Sequence, residues 1–182
     1  MYRLGQFVNG SWVEYSHPPV FERPAANESA RLAIGVPNGD ADVLRTLVGC
    51  AEPPYHILYV LVVPRGEGNP GRYQSPLLEH QEVDAFLGRY ADFFRADGRA
   101  HLWLYSPSSK ATLVWDRHNI LYAYGPLPCF EEKLGSLGFH PGALKIPAPH
   151  EHHYRKECDA DGASILGRFE WRYSELRPED SN

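Results

Sequence analysis

Two hydrophobic periods run along this chain, and each marks a different kind of element. Val83, Phe86, Leu87, Tyr90, Phe93 and Phe94 recur at steps of three and four, which puts them on one stripe of an amphipathic helix. Asp97-Gly98 supplies its stop, and Ser75-Pro76 suits its N-cap and first turn, unless the turn through Glu79 to Glu82 is separate. Leu127, Phe130, Leu134 and Leu137 repeat the pattern before Gly138, and Val43, Leu44, Leu47 and Val48 form a shorter stripe between a capping Asp40 and Gly49. Elsewhere the chain alternates or runs solidly apolar. Tyr55 to Val63 is nearly all apolar and stops at Pro64, as befits a central strand covered on both faces.

His101 to Tyr105, Thr112 to Trp115 and Ile120 to Tyr124 are joined by loops of hairpin length, which predicts a three-stranded antiparallel meander. Asn9-Gly10, between Gln6-Phe7-Val8 and Ser11 to Tyr15, predicts an opening hairpin because both residues tolerate positive φ. Arg31 to Val36, Ala143 to Ile146, His150 to Lys156 and Arg168 to Tyr173 read as further strands. Residues 16–30, with Pro18, Pro19 and Pro24, read as an irregular, mobile connection, and Arg177 to Asn182 as a polar tail that frays. Helices interspersed with antiparallel strands, without a strict βαβα order, predict one α+β domain over residues 1–182. Its sheet is mostly antiparallel, with the helices packed on one face.

Composition adds limits. At 182 residues the chain builds one core, and its 13% aromatic content favours sheet. A net charge of −5 argues against a nucleic-acid backbone as partner. The longest apolar run, Ile57 to Val63, is too short to span a bilayer, and the amino terminus has no apolar signal segment. Cys50, Cys129 and Cys158 are odd in number and far apart. They read as small buried hydrophobes of a soluble cytoplasmic protein rather than a disulfide framework.

Three of the nine histidines fall within four residues, in His150-Glu151-His152-His153. On a strand, His150 and His152 share one face and Glu151 and His153 the other. Two histidines at i and i+2 can bind one metal ion, zinc or another divalent transition metal, if a further ligand arrives. The possible donors are His118 and Asp116, in the loop Asp116-Arg117-His118-Asn119, and His140 and Cys158, none fixed by local spacing; the hydrolase reading takes His118, with Asp116 or Glu151 as base for a metal-bound water. The same loop also reads simply as a tight turn, which favours Asp and Asn for their local hydrogen bonds.

Gly66 to Tyr73 mimics a phosphate-binding loop. Arg72 and Tyr73 stand where Lys and Ser or Thr belong, and Pro70 removes a backbone donor. What survives is an anion cradle using Arg65 and Arg72, with Arg117 a third cation for a small anionic ligand. Glu157 to Gly162 resembles a calcium loop but places Arg168 where a bidentate Glu is needed, so it reads as a turn. Trp103, Tyr105, Trp115, Tyr122 and Tyr124 all lie on the meander, too many to hide beneath one helical layer. Trp103, Trp115 and Tyr124 therefore enter the candidate binding surface, covered by the opening hairpin, a second copy or another protein. Two functions follow: a binding protein without catalysis that self-associates or takes another protein, or a zinc-type hydrolase built on the histidines.

Overall fold

The computed structural model describes residues 1–23 and 30–181. Strands β1 (Leu4–Val8) and β2 (Ser11–Glu14) form the opening hairpin, with Asn9 at φ 50 and Gly10 at φ 84, the pair of positive angles such a turn demands. Strand β3 (Val20–Glu22) lies inside the stretch expected to be irregular; residues 24–29 of that stretch fall outside the described residues. Strand β4 (Arg31–Gly35) leads to helix α1 (Ala41–Val48), where the Asp40 carboxylate accepts from the Asp42 amide at 2.9 Å as cap. Then come β5 (His56–Leu61), β6 (Gly71–Gln74), α2 (His80–Arg89) and α3 (Ala91–Ala96). The meander is β7 (Ala100–Ser106), β8 (Ala111–Trp115) and β9 (Ile120–Tyr124). Helix α4 (Leu127–Ser136), β10 (His140–Pro141), β11 (His150–His152), α5 (Asp159–Leu166) and β12 (Arg172–Ser174) complete the chain.

Nine strands form one sheet in the order β10-β3-β4-β9-β8-β7-β5-β6-β12, antiparallel except for β10 beside β3. A small second sheet runs β11-β1-β2. The result is the α+β arrangement that the sequence predicts. Alternation decides which side chains enter the core. Ile57, Tyr59, Leu102, Leu104, Leu113, Trp115 and Leu121 are buried with Leu47, Phe86, Phe94 and Phe130 of the helices. No helix of the described residues is long and apolar enough to cross a membrane.

Several expectations need correction. The long stripe is two helices, broken at Tyr90 (φ −110, ψ 16). Its start is Glu79, which forms a capping box with Glu82; Ser75 instead accepts a hydrogen bond from the Ile57 amide at 2.9 Å. Strand β5 is covered fully on the helix side only, since His56 and Leu58 are half-buried on the other face. Residues 143–146 form no strand, and the apparent turn after Glu157 opens α5. The polar tail is anchored: the Asp180 carboxylate accepts from Arg72 Nη1 at 2.7 Å and its carbonyl from His101 Nε2 at 3.1 Å. Cys50 and Cys129 form a disulfide joining the turn after α1 to α4, with Cα atoms 5.8 Å apart, while Cys158 is free and buried. That pairing removes the cysteine argument for a reducing cytoplasm.

Candidate metal centre

The turn between β8 and β9 is built by Asp116. Its Oδ1 accepts from the His118 and Ile120 amides, both at 2.9 Å, and Asn119 takes the left-handed conformation at φ 58. Oδ2 then lies 3.2 Å from His118 Nδ1. A carboxylate only accepts, so Nδ1 carries the proton and His118 keeps the lone pair of Nε2. From below, His17 Nε2 donates to the His118 carbonyl at 2.8 Å. Gly35 permits this approach, because a Cβ there would stand 2.7 Å from that of His17.

Strand β11 brings the other two imidazoles. It pairs with β1, His152 opposite Leu4 and His150 opposite Gln6, and the Gly98 amide holds the His153 carbonyl at 2.9 Å. Gly98 gives His152 room, since a Cβ would lie 3.3 Å from the His152 Cβ. His150 Nδ1 donates to the Pro147 carbonyl at 3.0 Å, leaving its Nε2 free as well. Ring centroids of His118, His150 and His152 are 4.8–5.4 Å apart, and one nitrogen of each lies within 4.8 Å of the others. Zinc bound at about 2.0–2.1 Å would hold tetrahedral nitrogens roughly 3.4 Å apart, against separations of up to 4.8 Å here.

Two arginines, Arg117 and Arg3, act on His152 of the cluster. Arg3 is buried, donating to the Phe94 and Ala100 carbonyls at 3.0 Å each and lying 5.5 Å from the Trp115 ring. Burial lowers its pKa to about 10 against the pull of Asp116 and Asp97. Burial, then Arg117, His118, Arg3 and His150, push His152 down to about 3. Its imidazole is neutral and has a lone pair to give. Burial likewise takes His101 to about 4 and lowers His17. For Asp116 burial acts upward, but hydrogen bonding and attraction from His118 and the Ile120 amide outweigh it and hold the carboxyl below its ordinary value.

A cavity of about 310 Å³ adjoins the cluster, with His118, His101, Trp103, Val114, Tyr122 and Glu179 in its wall. The other candidate residues are placed differently. Glu151 points to the opposite side of β11, 3.2 Å from His153 Nε2 and against Gly5. Arg65 is paired with Asp159 at 2.9 Å and Arg72 with Asp180, so the chain's own carboxylates fill the expected anion cradle. Arg117 is buried beside the cluster. Trp115 faces the helices, 1% exposed, and so leaves the binding surface, whereas Trp103 and Tyr124 stand on the open face. His17, His101 and Glu179 went unnoticed in the sequence as site residues, and Tyr122 was read only as one of the meander's aromatic residues. They arrive from distant segments, and only the alternation of β7 and β9 could have placed His101 and Tyr122 beside Trp103. No known protein family, curated protein or solved structure matches this chain.

Proposed function

We propose that the protein holds one divalent transition-metal ion of the zinc type through His118, His150 and His152, and uses its open coordination position to hydrolyse a small molecule. The observation that carries this reading is the convergence of three imidazoles, two of them with Nδ1 tied to an acceptor. A carboxylate or carbonyl behind a ligating histidine is the usual support of such a site. Imidazoles alone suit zinc, copper or nickel rather than calcium or magnesium. Three protein ligands at a half-exposed place, rather than four in a closed one, fit a catalytic ion, whose bound water has a pKa of about 7. Asp116 is spent on orienting His118 and Glu151 faces away from the cluster, so neither is placed as the base, and an ion held by the three imidazoles would supply that chemistry by lowering the pKa of a bound water.

Isothermal titration of tag-free, chelator-treated protein with zinc tests this. One ion per chain is expected, with His118→Ala and His152→Ala losing it; a wild-type protein that takes up no zinc overturns the reading. The alternative, a binding protein without catalysis that self-associates, is favoured by the open aromatic face, where Tyr105 is 41% exposed. Sedimentation at micromolar concentration separates the two: a zinc-binding monomer supports the first, and a dimer lost on Tyr105→Ser supports the second.

A further inference from the structure

We infer that Trp103 and Tyr122 form a slot for a flat ring, so that the ligand of the metal centre is an aromatic or heteroaromatic small molecule. The slot itself stands on the sheet geometry; only the direction in which the ligand's reactive group points rests on the metal reading. Trp103, Val114 and Tyr122 are register partners on three adjacent strands, β7, β8 and β9. Strands lie about 4.8 Å apart, so the two aromatic residues are rooted roughly 10 Å apart with the smaller valine between them. A ring inserted face to face needs about 3.5 Å on each side, roughly 7 Å in all, which this spacing admits.

A guanidinium lies against each ring. Arg72 lies 5.2 Å from the Trp103 ring and Arg31 lies 4.8 Å from that of Tyr122. In the strand order, β6 lies beyond β7 and β4 beyond β9, so each arginine is rooted on the side away from β8. Between the two rings Val114 forms the floor. The cavity of about 310 Å³ and its neighbour of about 580 Å³ share Trp103, Val114 and Tyr122 as wall, so both open against this row of side chains. Glu179 lines both and offers an acceptor at the rim for a ring N–H or O–H. Cations against the rings draw electron density from them, which favours a neutral flat partner over an organic cation. His118 lines the smaller cavity too, so a substituent on the ring reaches toward the histidines.

Two hydroxamic acids of similar size test flatness on the zinc-loaded protein. Benzohydroxamic acid should bind about tenfold more tightly than cyclohexanecarbohydroxamic acid, two aromatic contacts supplying the difference. Trp103→Leu and Tyr122→Leu should each bring the ratio close to one without changing zinc uptake, and Tyr122→Phe, which keeps the ring, should preserve it. Equal affinities in the wild type, or a ratio kept by both leucine variants, overturn the slot. A metal-free arm separates the two proposals. Equilibrium dialysis of neutral, flat 4-nitroaniline against chelator-treated protein should show binding that Tyr122→Leu abolishes. Dye bound without zinc uptake would sink the metal centre and leave the slot standing. Zinc uptake without dye bound would do the reverse.

Discussion

Asp116 commits one carboxylate oxygen to the turn and the other to His118, and this double use is the most consequential residue-scale feature of the site. Replacing it by Asn keeps the size and one accepting oxygen but puts an amide, which cannot accept, at the other position. The amide cannot hold both the backbone amides and His118 Nδ1, so the imidazole loses its fixed tautomer. Asp116→Asn should therefore weaken zinc binding by about 10–100-fold, measured by competition with a chromophoric chelator. An unchanged affinity would show that Asp116 serves the turn alone. The sequence reading of Asp116 to Asn119 as either a turn or a site set up a choice the structure does not make, because the turn is what aims His118 at the cluster. The i, i+2 spacing made the shared face of His150 and His152 legible. His118 was named among the possible third donors, but no spacing fixed it, since its arrival depends on the pairing of β11 with β1 and on His17 beneath the turn, contacts of long sequence separation.

At the scale of elements, the apolar stripe of the eighties was readable because helical spacing is a local signal. Phe86 is fully buried, 5.0 Å from the Tyr90 ring, 5.7 Å from Phe169 and 6.4 Å from Trp171. Phe86→Ala should cost about 3–5 kcal/mol, seen as a lowered urea midpoint; an unchanged midpoint would mean the aromatic cluster refills the space. The break at Tyr90 was not legible, since the apolar spacing continues through it. It coincides with the Tyr90 hydroxyl reaching Ser164 of α5, 2.9 Å away. Helix α5 itself was masked by Asp159, Asp161 and Gly162, residues typical of turns. Its first turn is held by a partner no local pattern shows: the fully buried Arg99 guanidinium, bonded at 2.8–2.9 Å to Asp97, Glu67 and Asp159. The disulfide escaped for the same reason, its cysteines being 79 residues apart.

Across the whole molecule, the C-terminal turn closes the open sheet face beside the site, and His101 is one of its fastenings. His101 is buried with Asp116, Arg117 and Arg3 acting on it and with the Asp180 carbonyl accepting its Nε2 proton. Its folded pKa of about 4 lies below the ordinary histidine value of about 6.5. Between those two values the unfolded chain binds more protons than the folded one, so stability is full above about pH 6.5 and falls as pH drops toward 4. At about 1.36 kcal/mol per pKa unit, the loss from His101 alone is about 2–3 kcal/mol on going from pH 7 to 4.5. His17, also lowered, adds to it in the same direction. His101→Gln keeps a donor for the Asp180 carbonyl without a titrating group. Urea midpoints of the metal-free protein at the two pH values should therefore draw closer together in this variant than in the wild type. An identical acid loss in both would place the sensitivity in other groups and leave His101 as a fastening of the C-terminal turn with no part in its response to acid.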